Sequence, residues 1–230
     1  MGSMRIVAVV SVLGLLLPLF SHLLAGSNNT LTWLIDLASH WQWMFLSGLV
    51  ICVSVTVWSS RRWALLLLAV PLPWLTASAQ APASKTTGDR LTVASVNVNL
   101  SNRDIRPLAA WLSREQVDVA AVLEVSPEYS SKLQALAEYP FNRIVPHGGP
   151  FGIALVSRHP VLRSEVIHDA EGIPHIEAQL RWQDRVINLV VVHPMPPLDL
   201  HYHAVRNSKL RALAAAVVTS RIPTTKPSGA

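Results

Sequence analysis

The sequence is short of cysteine and of charge. Cys52 is the only cysteine in 230 residues and lies inside an apolar segment. That excludes a disulfide framework and a cysteine-built metal site. Only 14% of the residues are charged, while half are apolar. An ordinary soluble domain of this length carries more charge. The deficit is uneven: residues 1–80 contain a single acid, Asp36, and three bases, Arg5, Arg61 and Arg62. The remaining 16 basic and 13 acidic residues follow, so the net charge of +5 is mild and spread over both parts. No internal repeat is visible. Nor is there the basic stripe with interleaved aromatics that a nucleic-acid surface needs, which leaves no strong nucleic-acid signature.

What residues 1–80 have in place of charge is long apolar runs. Residues 6–25 carry no charged side chain, and about 20 residues at 1.5 Å each cross a hydrocarbon layer of ~30 Å. A second run covers 43–58 and a third 63–79, the latter interrupted by Pro71 and Pro73. Trp41, Trp43, Trp58, Trp63 and Trp74 stand near the ends of these runs, where amphipathic rings favour the headgroup level. The pattern predicts a membrane region of three spans, with the lipid bilayer as its partner. Arg5 precedes the first span and Arg61-Arg62 lie between the second and third, whereas 26–42 has no Lys or Arg. The positive-inside rule then places the N-terminus in the cytoplasm and everything after residue 80 on the opposite side. A competing reading makes Ala77-Ser78-Ala79 a signal-peptidase site. Residues 81–90, rich in Ala, Pro, Ser and Thr, read as a tether.

Beyond the tether the pattern becomes that of a globular domain over 91–220, followed by a tail at 221–230 with the composition of disorder. Residues 91–98 alternate as a strand, and 117–125 form a continuous apolar run expected of a strand covered on both faces. Between them, Ser101 or Asn102 is a candidate cap for a helix to about Glu115, with Ile105, Leu108, Trp111 and Leu112 on one face. Ser126-Pro127-Glu128 combines a cap residue, a first-turn proline and a first-turn acid. The helix it starts is expected to carry Tyr129, Leu133, Leu136 and Ala137 and to end before Pro140. Short strands follow at 141–145, 152–157, 161–167, 175–182 and 185–192, with Gln183-Asp184 as a tight hairpin. A helix over 202–220 closes the series. Two βα units followed by a run of strands indicate a layered α/β domain.

Three of these strands end in residues with chemical potential: Asn97 (with Asn99), Glu124 and His193. An amide, a carboxylate and an imidazole at one sheet edge make a cation and phosphate site. The carboxylate fits a hard cation such as Mg²⁺, which takes oxygen ligands and often only one or two protein carboxylates. His201 and His203 have metal-like spacing, but they fall where a helix begins and read as structural.

The motifs Ser-Val-Asn-Val at 95–98, Leu-Glu-Val at 123–125, Gly-Ile-Ala-Leu-Val-Ser-Arg-x-Pro at 152–160 and Val-Val-His-Pro-x-Pro-Pro at 191–197 are in order. Together they resemble the endonuclease/exonuclease/phosphatase family of DNase I-like proteins. The nearest resemblance is to its bacterial membrane-anchored branch. The resemblance implies a four-layer α/β sandwich, here partial, and metal-dependent hydrolysis of a phosphoester. It makes Glu124 the Mg²⁺ (or Mn²⁺) carboxylate and Asn97 a residue orienting metal and phosphate. His193 would contact the phosphate or stabilise developing charge. Arg206 stands where the family often has arginine, and a plain helix-surface role is equally open to it. Ser157-Arg158 belongs to a family motif with a structural role.

Departures from the family pattern matter too. Leu123 stands where the family usually has glutamine before its first acid, and neither a Gly-Asp-x-Asn motif nor an Asp-His pair occurs in these residues. In the family those motifs carry the water-activating residue and the general base. The expectation is therefore a C-terminally truncated, catalytically impaired phosphoesterase. It would be held at a bacterial inner membrane with the domain extracytoplasmic, its substrate class and oligomeric state open. The alternative is a non-catalytic, membrane-anchored binding remnant of the fold.

Overall fold

Period-two alternation decides the architecture of the globular unit. In the computed structural model, which describes residues 2–24, 26–76 and 89–220, the strands β1 (Val93–Asn97), β2 (Val119–Leu123), β3 (Phe141–Val145) and β4 (Ile153–Ser157) form one sheet. Its order is β1-β2-β4-β3, with β1 and β2 parallel and the other pairings antiparallel. Ala94, Val96, Ala120, Val122, Ala154 and Val156 point to one face. There they pack against Leu108 and Leu112 of helix α5 (Arg106–Arg114) and Tyr129 and Leu133 of α6 (Pro127–Gln134). Leu112 and Leu133 are fully buried, each contributing about 1.5–3 kcal/mol by removal from water. The alternate residues Val119, Ile153 and Leu155 point to the other face. Both faces of β4 are thus covered, and all five of its residues are buried.

That second face meets a three-stranded antiparallel sheet of β5 (Val161–His168), β6 (Pro174–Trp182) and β7 (Arg185–Val192). Ile176, Ala178, Leu180 and Val191 fill the interface between the sheets. Glu177, Gln179 and Arg181 alternate outward into solvent. Residues 89–193 therefore supply a helical layer and two sheets, an α/β sandwich. The hairpin from β6 to β7 turns on Gln183-Asp184, with Trp182 opposite Arg185 and Gln183 at φ 52°.

Two boundaries differ from the sequence expectation. Helix α5 begins at Arg106, not near residue 102. Asn102 Oδ1 accepts from Asp104 N–H and Asp104 Oδ1 accepts from Arg106 N–H, at 2.9 and 3.0 Å. These two side chains hold the segment in successive Asx turns and leave the helix to start beside Pro107. Helix α6 stops at Gln134. The chain beyond it turns so that the Tyr139 hydroxyl donates to Val117 C=O at 2.7 Å inside the core. The Ser126 hydroxyl does cap α6, accepting from Tyr129 N–H at 3.2 Å.

Residues Met1–Ser84 and Pro194–Ala230 form a second unit, distinct from Lys85–His193. Its helix α1 (Gly2–Leu23) is 22 residues long and apolar enough to cross a membrane. Helices α2 (Thr30–Ser39) and α3 (Gln42–Thr56) pass that test only as a pair bent by 69°. The third predicted span, 63–79, is not formed as a long helix. A nine-residue 3-10 helix, Arg61–Ala69, is followed by the five-residue α4 (Leu72–Thr76). Pro71 and Pro73 have no N–H to give to a helical ladder, so a continuous span is interrupted between them. The Ala77-Ser78-Ala79 cleavage reading, most of the tether and the 221–230 tail lie outside the described residues. Helix α7 (Leu200–Ser220) joins this unit through Arg206, which donates to Asp36 of α2 at 2.7 Å.

Helices α1 and α3 pack through small residues. A Cβ on Gly14 would lie 2.3 Å from the Phe45 ring, and one on Gly48 2.9 Å from Ser11 Oγ. Gly14 is thus required by close approach, whereas at Gly48 the near atom is a hydroxyl that can rotate. The opposite faces of the two helices leave Ile6, Val10, Leu13, Val50, Ile51 and Val55 exposed.

Candidate functional site at the carboxyl ends of the strands

Because β1 and β2 run parallel with Asn97 opposite Leu123, the residue after β2 arrives beside the end of β1. That residue is Glu124. The Asn97 amide Nδ2 donates to Glu124 Oε1 at 2.6 Å, and Leu100 N–H donates to Oε2 at 3.0 Å. Asn97 is held in turn by Asn99 N–H, which donates to its Oδ1 at 2.9 Å. Asn99 itself accepts from Ser101 N–H at 2.9 Å. The loop after β1 is therefore a relay of side chain to backbone that fixes one carboxylate.

The backbone at this point is unusual. Glu124 has φ 64° and Asn99 φ 66°. Asparagine tolerates the left-handed region, whereas glutamate has no local reason to enter it, at a cost of order 1–3 kcal/mol. What holds Glu124 there is visible on both sides of it. Val98 N–H donates to Leu123 C=O, Val125 N–H donates to Gly152 C=O, and His147 N–H donates to Val125 C=O, all within 3.0–3.1 Å. The last two bonds need glycine at 152, since a Cβ there would sit 2.0 Å from the Val125 carbonyl oxygen.

The electrostatics favour an ionised carboxylate. The Asn97 amide chiefly, with the Leu100 amide and the charge of His193, holds the Glu124 carboxyl below its ordinary value against a partial desolvation. A carboxylate has about four lone-pair sites; two are used here, one on each oxygen, and each oxygen keeps another. A single ionised carboxylate beside an amide is the sparse oxygen set that Mg²⁺ accepts while retaining water, so these residues fit a hydrated divalent cation. Among the described residues no cluster of three or more His, Cys, Asp or Glu is arranged to hold a metal.

His193 follows β7 and is half-buried, with its Nδ1 enclosed and without a hydrogen-bond partner. Its ring leans on Phe151, centroids 6.0 Å apart, and Phe151 leans on His147 at 6.1 Å. Neither His147 nor Phe151 was legible as a site residue. The one available signal was the Gly-Gly-Pro stretch at 148–150 directly ahead of the Gly-Ile-Ala-Leu-Val-Ser strand.

The other sequence candidates lie elsewhere. His203 and Arg206 belong to the helical unit, where His203 is buried and both approach Asp36 Oδ2, at 3.4 and 2.7 Å. Desolvation pushes the His203 imidazole down. His201 packs against Tyr202. Ser157 and Arg158 sit at the opposite end of the sheet. There the Ser157 hydroxyl accepts from His159 N–H at 2.9 Å, and Arg158 reaches Glu138 at 2.7 Å.

A sequence profile of the Endonuclease/Exonuclease/phosphatase family matches residues 94–224, a span that includes Asn97, Glu124 and His193. No curated protein matches the chain. TDP2 from Caenorhabditis elegans is similar over 76% of this chain and 58% of its own, at 16% identity and TM-score 0.52. A D. rerio TDP2 humanized by 14 mutations is similar over 58% of this chain and 57% of its own, at 20% identity and TM-score 0.49. The chain thus spans just under three fifths of the length of these structures, and at such identities the likeness is one of fold. With more than half of its residues inside the family match and a DNase I-like two-sheet sandwich around the strand-end carboxylate, the chain belongs to the Endonuclease/Exonuclease/phosphatase family.

Proposed function

We propose that the chain is a membrane-anchored phosphoesterase that works with a divalent cation, Mg²⁺ or Mn²⁺, held at Glu124. The observation that carries this reading is the backbone of Glu124. A glutamate kept in a left-handed conformation, with an amide and a backbone N–H fixing its two oxygens, is strain retained for a purpose at a strand end. Asn97 orients the carboxylate, and Glu124 with Asn97 would hold the cation. When bound, such a cation polarises a phosphoryl oxygen and offsets charge developing in displacement. His193, whose charge acts on the Glu124 carboxylate, would meet a phosphate oxygen. No residue in the described part is assigned as general base.

The test is hydrolysis of bis(p-nitrophenyl) phosphate by the full chain in detergent, with and without Mg²⁺. Glu124→Ala should lower any Mg²⁺-dependent rate by about 100-fold or more. Mn²⁺ binding read by electron paramagnetic resonance gives a result independent of turnover. Glu124→Ala should abolish it, and Asn97→Ala should weaken it by about 10-fold. Mn²⁺ binding indifferent to both substitutions would sink the assignment. A second reading is metal and phosphate binding without turnover. It predicts the Mn²⁺ result with no hydrolysis.

The anchor is read from α1 and α3. Small residues lie between them and apolar side chains outside, the arrangement by which helices associate in lipid. With Arg5 cytoplasmic, an odd number of crossings puts the α/β domain on the extracytoplasmic face of a bacterial inner membrane. Protease added to intact spheroplasts should then remove the α/β domain, and carbonate washing should leave the chain in the membrane fraction. Protection from protease would reverse the orientation.

A further inference from the structure

The helical unit holds charge around a cavity that the phosphoesterase reading does not use. Between the last turn of α1, helix α2 and helix α7 lies a space of about 200 Å³, whose walls include Ser21, Thr32, Asp36, His203, Arg206 and Arg211. That is far more than the ~10–15 Å³ that admits a single water. Both oxygens of Asp36 are engaged: Ser21 Oγ donates to Oδ1 at 3.3 Å and Arg206 Nη2 to Oδ2 at 2.7 Å. Asn207 Oδ1 accepts from Arg206 Nε and Nη2 at 3.1 and 3.0 Å, so its amide nitrogen faces His203 Nε2 at 3.2 Å. That ring nitrogen is then an acceptor, and the buried imidazole is neutral. Desolvation lowers the His203 pKa, which favours the same neutral form. One carboxylate in the wall thus stands against two guanidinium groups, those of Arg206 and Arg211. Arg206 Nη1 makes no hydrogen bond among the described residues. Helix α7 itself carries Arg206, Lys209 and Arg211 and no acid.

We infer that this cavity binds a phosphate oxyanion through Arg206 Nη1 and Arg211. Guanidinium groups meet phosphate oxygens through charge-assisted and often paired N–H donors. Asp36 does not cancel this attraction, because Arg206 already matches its charge. The walls are held together by Trp33 of α2, whose indole N–H donates to Pro197 C=O at 2.9 Å ahead of α7. With α1 crossing the bilayer, its last turn reaches the level of the lipid phosphates, where basic pockets between helices receive anionic head groups. A lipid head group and free phosphate share this chemistry. The lipid source rests on the membrane reading above; the oxyanion site rests neither on that reading nor on Glu124.

The experiment uses the full chain in detergent micelles and two probes. Native mass spectrometry reads retention of phosphatidylglycerol, and ³¹P line broadening reads inorganic phosphate. Arg211→Gln leaves the Asp36–Arg206 pair intact and should weaken binding about 10-fold, the loss of one charge-assisted hydrogen bond. Asp36→Asn removes the one acid of the wall and should strengthen binding, a gain that misfolding cannot imitate. Lys209→Gln, on the same helix but outside the wall, should change nothing. Lipid retention that follows this pattern marks a head-group site, and inorganic phosphate alone following it marks a site for the free ion; both uphold the inference. No binding of either probe, or binding that departs from the pattern, overturns it. Equal weakening by Lys209→Gln and Arg211→Gln would show diffuse positive charge only. Failure of the membrane reading looks different: carbonate washing would release the chain, while phosphate binding would keep its dependence on Arg211.

Discussion

The two ends of the four-stranded sheet hold their acids in nearly the same way. At one end Asp118 accepts from Thr92 N–H at 2.8 Å and faces His159 Nε2 at 3.1 Å. At the other, Glu124 accepts from Leu100 N–H at 3.0 Å and from the Asn97 amide at 2.6 Å. Each carboxylate thus has one backbone and one side-chain donor. The difference lies in what surrounds them. Around Asp118 the neighbouring polar groups are consumed in tying the chain: Ser157 bonds both the amide and carbonyl of His159, Tyr139 bonds Val117, and Arg158 pairs with Glu138 beneath the Tyr139 ring. Around Glu124 the backbone is forced to φ 64°, and an unpartnered imidazole nitrogen and a half-buried phenyl ring are left beside it. One end closes the sheet, and the other keeps strain and spare valence. A similar pair of hydrogen bonds does not make a similar site.

The largest perturbation that breaks this contrast is at Gly152. Gly152→Ala sets a Cβ against the Val125 carbonyl and against His147 N at 2.9 Å. Backbone atoms cannot rotate away as a side chain could, so the strand end must shift. We expect a loss of about 1–3 kcal/mol in chemical denaturation, together with loss of Mn²⁺ binding at Glu124. Unchanged stability would mean that the clamp does not hold Glu124 in its left-handed conformation.

Next comes a matched pair. Asp118→Gly removes two hydrogen bonds at a position with ordinary backbone angles and should cost about 1–2 kcal/mol. Glu124→Gly removes two bonds as well, but it also releases the left-handed strain. It should fall within about 1 kcal/mol of the parent, on either side of it, while abolishing cation binding. Equal destabilisation of the two variants, read from urea midpoints at constant slope, would contradict the division of the sheet into a structural and a strained end.

These experiments probe features that the sequence disclosed unequally. Strands 141–145 and 185–192 are visible in the sequence because β-branched and apolar residues run between clear turn residues. The Ser126 cap is visible because its three-residue pattern has a single local meaning. The α/β layering was therefore readable. The start of α5 was not, since Asn102 and Asp104 are equally good as caps and as Asx-turn formers, and only the competition between them decides. The third apolar run, 63–79, has the hydropathy of a span but not the hydrogen bonds of one, because Pro71 and Pro73 interrupt it. At the site, Glu124 and Asn97 stand at the ends of legible strands. The Leu100 amide, the left-handed φ of Glu124 and the approach of Phe151 follow from how strands 26 or more residues apart are registered, which no local pattern records.

The smallest expected effect is the acid response of the two acids nearest the β1 loop. The folded state lowers the Glu124 pKa, because Asn97 and Leu100 donate to its charged form. Stability from these bonds is therefore fully present above the ordinary glutamate value and is lost as pH falls through the lower folded one. Asp104, exposed and held at about 2 by the Arg106 guanidinium and amide, should keep its turn to more acidic pH. A ¹⁵N-resolved titration of the full chain separates the two. Leu100 N–H should report a midpoint below the ordinary glutamate range, and Arg106 N–H one near 2. The Leu100 midpoint should return toward the ordinary value in Asn97→Ala, because the lost amide donor was the larger stabiliser of the carboxylate. A Leu100 midpoint unaffected by that substitution would show that the backbone amide alone holds the charge. Asn97 would then be reduced to the status of the donors around Asp118, and the contrast between the two ends would rest on the strained backbone alone.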